Sequence, residues 1–267
     1  MPELAEVEFF RKQWPCSRSR VILAVEATGR RIFRGVEVAA LQRALTGAAL
    51  LESKTHGKQM LFRFSGNAWL GVHLGMSGKL HARPNQPADK HDHLVLRRKD
   101  QDLVYTDPRM FGRILFEISP RAPVWWTRLP APVLSREFTL ARVSDFLARH
   151  GRAPLKAVLL LQAGFPGIGN WMADEILWQA RLHPRRRAGS LKAAEQRRLH
   201  TVTRSICRVA LRTIGKNWSD PPSRWLIHRR WRPGGHCPRE GAALRHDTVG
   251  GRTTCLCPVC QKPGKKA

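Results

Sequence analysis

The first residues of the chain, Met1-Pro2-Glu3, carry groups that could do covalent chemistry. Removal of Met1 would expose the secondary amine of Pro2, and an α-amino group with a pKa of about 7.7–8.0 is partly unprotonated at neutral pH. Such an amine can attack an electrophilic carbon and form an iminium, as a Schiff-base lysine does. The carboxyl group of Glu3 could donate a proton to the same substrate. Met-Pro starts are common, and a disordered chain end is the ordinary alternative.

Cysteines suggest a second kind of chemistry. Four of the six crowd the C-terminal end, at positions 237, 255, 257 and 260, whereas Cys16 and Cys207 are isolated. In a reducing compartment, a terminal cluster of this kind favours a metal site over a disulfide framework. An oxidisable surface cluster without a metal is the alternative.

The charge of the chain points to a polyanionic partner. Lys and Arg total 47 against 20 Asp and Glu, which gives a formal net charge of +27. A protein that neutralises phosphates gains affinity from the counterions it releases. We therefore expect a nucleic acid as partner; an anionic membrane surface, or a generally basic proteome, is the alternative.

Membrane insertion and secretion are not expected. No apolar run approaches the ~20 residues that span a bilayer. The start carries Glu3, Glu6 and Glu8 where a signal peptide would have a basic and then an apolar stretch. The sequence predicts a cytoplasmic protein.

Residues 1–118 are typical of a β-rich domain. Turn formers such as Ser65-Gly66-Asn67 separate short apolar or alternating runs, which predicts a sandwich or flattened barrel. A helix is predicted over Ala5 to Trp14. The predicted strands are Val21–Val25, Met60–Phe64, Ala68–Leu74, His93–Leu96, Leu103–Tyr105 and Ile114–Ile118.

The second half of the chain is typical of helices. A proline-rich stretch from Pro120 to Pro132 predicts a linker over residues 119–134. A helical domain follows over 135–224, and residues 225–267 combine short strands with the cysteine cluster and a basic tail. The fold class predicted is α+β with two domains. Ser135 and Thr139 are candidate helix caps, and the predicted helices are Leu155–Gln162, Asp174–Ala180 and Leu191–Thr213.

A glycine turn, Gly167-Ile168-Gly169-Asn170, leads into one of these helices. Backbone N–H groups at a helix N-terminus form a ready anion site, because they point at the ligand and carry partial positive charge. A turn with a purely structural role is the alternative.

Six blocks of the sequence resemble the formamidopyrimidine-DNA glycosylase and endonuclease VIII family. They stand in the family's order along essentially the whole chain, and Leu4 favours the formamidopyrimidine branch. The blocks are residues 2–8, 73–79, 90–93, 106–112, 167–170 with the helix that follows to Pro184, and 250–253.

The resemblance implies a fold and an activity. The fold would be an N-terminal β-sandwich with flanking helices, then a helical helix–two-turn–helix domain that ends in a zinc-finger-type β-hairpin. The activity would be base excision repair of double-stranded DNA, in which a monomeric glycosylase removes oxidised bases and its lyase activity cuts the strand by β,δ-elimination. Formamidopyrimidines are the first expected substrates, with 8-oxoguanine or oxidised pyrimidines as further ones.

The resemblance also implies roles for individual residues. Pro2 would be the nucleophile at C1′ and Glu3 would protonate the opening deoxyribose. Lys58, expected on a strand, would contact a phosphate and support β-elimination. Met76, Arg109 and Phe111 would fill the space that an extruded nucleotide leaves in the duplex. The residues expected to contact DNA elsewhere are His91, Lys156, Asn170 and Arg252.

At the zinc hairpin the sequence departs from the family's two Cys-x2-Cys pairs. Cys257 and Cys260 form the second pair, but the first is Cys237-Pro-Arg-Glu240, with glutamate in place of cysteine. The resemblance therefore implies one structural zinc ion with three clear ligands. Glu240 or His246 is the leading candidate for the fourth. His236 or Cys255 could also take that place, or zinc could be lost altogether.

A second departure concerns the lesion. The segment between Gly215 and Cys237 is shorter than the loop with which many family members cap 8-oxoguanine, and Trp218 or Trp225 could replace that cap by stacking. Ala5 replaces the family's usual proline. Two other functions stay open: a catalytically inactive relative that binds damaged or abasic DNA, and an RNA- or ribosome-binding module.

Overall fold

Residues 1–29, 31–231 and 233–263 are described by a computed structural model. The chain folds into two compact units, with the boundary between Leu129 and Pro130. This boundary lies within the segment predicted as a linker, 119–134.

Unit 1 contains two four-stranded antiparallel sheets. The first has the order β1-β6-β7-β5 and the second the order β2-β3-β4-β8. The elements of the unit are α1 (Leu4–Lys12), β1 (Ala24–Ala27), α2 (Val38–Leu45), β2 (Leu50–His56), β3 (Gln59–Phe64), β4 (Ala68–His73), β5 (Lys79–Arg83), β6 (Asp92–Arg97), β7 (Asp102–Thr106), β8 (Arg113–Ile118) and α3 (Val124–Thr127).

The two sheets share one hydrophobic core. Phe62 and Phe64 of β3 are fully buried in the same cluster as Leu94 and Leu96 of β6. The strands β4, β6 and β7 are buried along nearly their whole length, in agreement with the short apolar runs from which the sandwich was predicted. The β3–β4 turn also agrees with its sequence, because Gly66 and Asn67 both adopt the positive φ that a tight hairpin requires.

The segment after β8 belongs in part to unit 1. The α3 helix places the ring of Trp125 so close to Gly71 of β4 that a Cβ on Gly71 would lie 2.7 Å from it. The first half of the predicted linker is therefore packed on a sheet rather than extended.

Unit 2 is mainly helical and ends in a two-stranded antiparallel hairpin. Its elements are α4 (Leu140–Arg149), α5 (Leu155–Leu159), α6 (Asn170–Gln179), α7 (Ala193–Arg212), α8 (Ile214–Asn217), β9 (Arg245–Val249) and β10 (Arg252–Leu256), with 3-10 turns at Ala188–Ser190 and Leu226–His228.

Local signals explain where the helices of unit 2 begin. Thr139 caps α4, since its hydroxyl accepts the N–H of Arg142 at 3.2 Å. Ser135, the other predicted cap, lies outside the helices. The α6 helix is buried along most of its length, so its hydrophobic residues do not alternate with polar ones, and it begins four residues before the predicted start at Asp174.

Candidate active site and nucleic-acid interface

The N-terminal groups lie at the start of α1. Pro2 is half-buried and Glu3 is buried at the helix N-cap. The Glu3 backbone N–H donates to Glu6 Oε2 at 3.2 Å, and the Glu3 carbonyl accepts the N–H of Val7 at 2.9 Å. These capping interactions fix Glu3 at the start of α1, and Pro2 precedes it directly in the chain.

Lys58 lies in the β2–β3 turn rather than on a strand, so the predicted strand position was wrong. A tight turn closes the hairpin there, since Gly57 has a φ of +59°. Lys58 is nevertheless buried, near His73 at the end of β4. Burial lowers the pKa of His73, and the Lys58 ammonium lowers it further, which keeps this imidazole neutral at pH 7.

Met76, Arg109 and Phe111 come from two loops of unit 1 that touch each other. The side chains of Met76 and Phe111 are 41% and 43% exposed, which is unusual for large apolar residues. The Arg109 guanidinium lies 4.7 Å from the centre of the Phe111 ring. The loops meet at Gly75, where an added Cβ would lie 2.4 Å from the Phe111 carbonyl carbon. The structure therefore brings together all three residues predicted to enter the duplex.

Asp107 holds these two loops in place. Its fully buried carboxylate accepts the Ser77 hydroxyl at 2.6 Å and the Gly112 N–H at 2.7 Å, so it joins the Met76 loop to the Phe111 loop. Tyr105, also fully buried, donates its hydroxyl to Asp107 Oδ2 at 3.3 Å. Burial and the Asp107 carboxylate raise the pKa of Tyr105 well above its usual value. Asp107 lies within a recognised motif, but no pattern in the sequence indicates this role.

His91 lies beside Asp107, whose carboxylate joins the two loops. It is half-buried, and its carbonyl accepts the Asp107 N–H at 3.0 Å. Its position next to the two exposed loops is compatible with the DNA contact predicted for it, which stays a prediction.

In unit 2, Asn170 occupies the first position of α6. The turn before it is shaped by Gln162, whose side-chain oxygen accepts the Gly167 N–H at 3.0 Å and whose amide donates to the Ile168 carbonyl at 2.9 Å. Asn170 Oδ1 is buried and makes no hydrogen bond to the described residues. A buried oxygen of this kind favours a hydrogen-bond donor from outside the protein.

Lys156 lies inside unit 2 and has no exposed surface. Its ammonium donates to Asp174 Oδ1 and to the Thr253 carbonyl, both at 2.7 Å. Asp174 Oδ2 in turn accepts the Arg230 guanidinium at 2.7 Å and the Cys255 N–H at 3.1 Å. We call Lys156, Asp174 and Arg230 the buried ion network. A phosphate contact by Lys156 would require this network to open.

Arg252 begins β10, directly after the hairpin turn, and is exposed. The turn rests on α5, because a Cβ added to Gly250 would lie 2.9 Å from Ala157 Cβ. Through Thr253 and Cys255, the buried ion network attaches this hairpin to α6, which carries Asn170. Asn170 and Arg252, both predicted to bind phosphate, thus lie on elements that the buried ion network holds together.

Three of the cysteines form a metal-competent group. The Sγ atoms of Cys237, Cys257 and Cys260 are buried and lie within 4.8 Å of one another, with 3.6 Å between Cys237 and Cys260. Zn–S bonds of about 2.3 Å place the sulfurs of a tetrahedral site about 3.8 Å apart, so the three thiols fit zinc. Burial alone raises the pKa of Cys237, but N–H groups of Arg239, Glu240 and Trp178 donate to its sulfur and lower it below the usual value.

The candidates for a fourth ligand differ in position. Glu240 Oε1 lies 3.6 Å from Cys260 Sγ. The His246 ring bonds the Arg230 carbonyl at 2.9 Å through Nε2. Cys255 is buried beside Asp174, and burial followed by the Asp174 carboxylate raises its pKa to about 12. Cys255 does not belong to the group of close thiols.

The tryptophans of the short segment after α8 differ in how exposed they are. Trp225 is 5% exposed and packs in the interior, which assigns it a structural place. Trp218 is 51% exposed and Trp231 65% exposed. The Arg230 guanidinium lies 4.4 Å from the centre of the Trp231 ring. Trp231 was not selected from the sequence, although an exposed tryptophan beside arginines is a typical stacking platform for nucleic acids.

Glu175 makes the stability of unit 2 depend on pH. It is fully buried on α6; burial raises its pKa to about 7, although N–H donors from Gln179 and Ile227 act in the opposite direction. Because the folded protein keeps this proton more tightly than the unfolded chain, stability should fall by about 3 kcal/mol as the pH rises from about 4.5 to 7.

Glu175→Gln should remove this slope, since glutamine stays neutral and can still accept the Ile227 N–H. Urea unfolding of both proteins at a series of pH values between 4.5 and 8 measures the effect, with the exposed Glu37→Gln variant as control. Parallel stability curves for wild type and Glu175→Gln would contradict the assignment.

Comparison with known proteins assigns this chain to a protein family. The formamidopyrimidine-DNA glycosylase N-terminal domain matches residues 1–114, and the H2TH domain of the same glycosylase matches residues 130–220. The formamidopyrimidine-DNA glycosylase of Roseiflexus sp. (strain RS-1) is 36% identical over 286 residues, covering 98% of this chain and all of that protein. The chain belongs to the formamidopyrimidine-DNA glycosylase family.

Solved structures of formamidopyrimidine-DNA glycosylase agree with this. The Lactococcus lactis enzyme bound non-covalently to DNA containing an abasic site has a TM-score of 0.85 at 28% identity, covering 97% of this chain and 99% of that one. The same enzyme with Fapy-dG DNA also gives a TM-score of 0.85. The predicted family and fold class are thereby confirmed. Among the described residues, no helix has both the length and the apolar character to cross a membrane.

Proposed function

We propose that this chain is a DNA glycosylase of base excision repair that also cleaves the strand at the site it has emptied. The observation that carries the proposal is the pair Pro2 and Glu3, placed at the start of α1 in a chain that matches a formamidopyrimidine-DNA glycosylase over 98% of its length. Oxidised purines, formamidopyrimidines first, are the proposed substrates. The L. lactis relative has been solved with Fapy-dG and with an oxidised pyrimidine in DNA, which supports this range.

In the proposed reaction, the Pro2 nitrogen forms a bond to C1′ of the damaged nucleotide, the bond from C1′ to the base breaks, and the departing base takes up the proton that the Pro2 amine loses. Glu3 gives a proton to O4′ as the sugar ring opens, which leaves an iminium between Pro2 and C1′. Loss of a proton from C2′ then breaks the bond from C3′ to its phosphate. Loss of a proton from C4′ then breaks the bond from C5′ to the other phosphate, and water hydrolyses the iminium at C1′ to free the Pro2 amine.

The nucleotide must leave the duplex before Pro2 can reach its sugar, at a cost of a few kcal/mol of unstacking. The exposed side chains of Met76, Arg109 and Phe111 are suited to offset this cost. An apolar thioether and an aromatic ring can replace the lost stacking, and the guanidinium can pair with the orphaned base.

The remaining site residues would hold the DNA backbone. Lys58, His91, Asn170 and Arg252 are the proposed contacts to phosphates, and the net charge of +27 supports a polyanionic partner. Lys156 was predicted to join them, but its burial supports a structural role more strongly. We further propose that the chain acts as a monomer in the cytoplasm, where it associates with the nucleoid, and that residues 1–118, 135–224 and 225–267 form its functional regions.

Zinc has a structural place in this proposal. Cys237, Cys257 and Cys260 would hold the ion, which would fix the end of the chain that carries Arg252. The reaction itself uses the Pro2 amine and side chains alone.

Borohydride trapping tests the function. Borohydride reduces an iminium to a stable amine, so incubation with duplex DNA containing an abasic site should yield a covalent complex, and mass mapping should place the adduct on Pro2. Pro2→Gly should trap with a rate reduced by at least about tenfold. Pro84→Gly, in an exposed loop of the same unit, is the matched control and should trap like the wild type.

Two results would overturn the proposal. An adduct on a lysine peptide, Lys58 included, would move the nucleophile away from Pro2. Tight binding of abasic DNA without any adduct would leave the chain a catalytically inactive damaged-DNA-binding relative.

A further inference from the structure

The two turns that carry Cys237 and the pair Cys257 and Cys260 share the same backbone hydrogen bond. In the turn Cys237-Pro-Arg-Glu240, the Gly241 N–H bonds the Cys237 carbonyl at 2.9 Å. In the turn Cys257-Pro-Val-Cys260, the Gln261 N–H bonds the Cys257 carbonyl at 3.0 Å. The fourth residue of the second turn is Cys260, a member of the thiol group. The fourth residue of the first turn is Glu240.

We infer that Glu240 is the fourth zinc ligand, which makes this a Cys3Glu site. A carboxylate is an ordinary zinc ligand, and three thiolates with one carboxylate carry the same formal charge as four thiolates. The inference concerns metal binding and holds whether or not the proposed catalytic function is correct.

The position of the carboxylate supports the inference. Glu240 Oε1 lies 3.6 Å from Cys260 Sγ. Zn–S bonds of about 2.3 Å and Zn–O bonds of about 2.1 Å at a tetrahedral angle separate sulfur and oxygen by about 3.6 Å. Glu240 does not lie within 4.8 Å of all three thiols, so its side chain would turn inward on binding the ion. Packing does not prevent this movement, since the side chain is 32% exposed.

The rival ligands are held elsewhere. His246 uses Nε2 for the Arg230 carbonyl, and it pairs with Cys255 across the β9–β10 ladder. Cys255 packs against Asp174, whose carboxylate accepts its N–H. His236 pairs through its backbone with Ala243, and its residue is exposed. Like Glu240, these three lie outside the group of close ligand atoms among the described residues, so the 3.6 Å distance to Cys260 Sγ is what distinguishes Glu240 from them.

A surface ion pair is the competing explanation for the position of Glu240. Arg181 Nη2 lies 3.8 Å from Glu240 Oε1. This separation is long compared with the ~2.7–2.9 Å of a charge-assisted hydrogen bond, so Arg181 does not fix the carboxylate.

Zinc affinity of the full chain, measured by competition with a chromogenic chelator, tests the inference. Glu240→Gln keeps the size of the side chain but removes the anionic oxygen. It should weaken zinc binding by at least about 100-fold, because loss of a mere outer partner of a ligand already costs about 10–100-fold. Glu240→Cys should bind zinc more tightly than the wild type. Arg181→Met and His246→Ala should stay within about twofold of the wild type.

Cobalt(II) gives a second readout on the same proteins. The sulfur-to-cobalt charge-transfer band of Glu240→Cys should be roughly one third stronger than that of the wild type, since four thiolates replace three. This gain of signal would show that position 240 reaches the metal, and it can be measured even if Glu240→Gln folds poorly. Unchanged zinc affinity in Glu240→Gln with an unchanged cobalt spectrum would overturn the inference. A loss in His246→Ala alone would assign the fourth position to His246. Neither result depends on the trapping of DNA at Pro2.

Discussion

Asp174→Asn should lower the free energy of unfolding of unit 2 by about 3–5 kcal/mol. The wild-type carboxylate is fully buried and neutralises two buried cations, Lys156 at 2.7 Å and Arg230 at 2.7 Å. Asparagine leaves both cations inside the protein without an anion, and water cannot solvate them there. Chemical denaturation followed by far-UV circular dichroism measures the loss.

The exposed ion pair of Arg185 with Asp247 provides the matched control. Asp247→Asn should change stability by less than about 1 kcal/mol, because water screens exposed pairs. Replacing all three members of the buried ion network with Met, Leu and Met should recover part of the loss, since no unpaired charge then remains buried. If Asp174→Asn were as stable as Asp247→Asn, the network would not hold the hairpin on α6.

Asp107→Asn should reduce base excision from duplex DNA about 100-fold while leaving cleavage of single-stranded abasic DNA within a few fold of the wild type. An asparagine amide cannot accept both the Ser77 hydroxyl and the Gly112 N–H as the carboxylate does. Hydrogen bonds to a charged group contribute about 1.5–3 kcal/mol, and each 1.4 kcal/mol corresponds to about a tenfold change. The loops that carry Met76 and Phe111 would then separate, and extrusion of the nucleotide would lose its support.

Single-turnover rates on the two substrates separate the effects. A single-stranded abasic site needs no extrusion, so it reports the Pro2 chemistry alone. Asp89→Asn is the control, because this exposed carboxylate pairs with Arg83 at the end of β5. Equal losses on both substrates would show that Asp107 supports the fold of unit 1 in general. An unchanged duplex rate would remove the proposed role of the two loops.

Most strands of unit 1 were predicted from their apolar residues, including the edge strand β8, but two other edge strands were missed. The predicted set omitted β2 and β5, and both are edge strands of their sheets. Edge strands carry charged residues that prevent pairing with other chains, here Glu52 and Lys54 in β2 and Lys79 and Arg83 in β5. These charges interrupt the apolar pattern on which the prediction relied. The short α2 helix was missed because its buried residues, Leu41 and Leu45, are too few to set a period.

Candidate site residues could be selected from the sequence where neighbouring residues along the chain indicate the chemistry. The Pro2-Glu3 start, the turn before Asn170 and the cysteine cluster are of this kind. Lys156 is not, since its partners lie far away in sequence, at Asp174 and Thr253. A lysine in a basic chain gives the same local signal whether it faces a phosphate or a buried carboxylate. Only the three-dimensional contacts distinguish these environments.

The burial of Tyr105 against Asp107 has an optical consequence, because the chain contains a single tyrosine. Tyr105 is fully buried against Asp107, and this environment keeps its phenol protonated at pH values where an exposed tyrosine, with a pKa of about 10, has ionised. After a jump to alkaline pH, the near-ultraviolet absorbance of phenolate should therefore grow only as fast as the structure around Tyr105 opens. Stopped-flow absorbance on the unlabelled protein would give that opening rate directly, with no other tyrosine contributing to the signal.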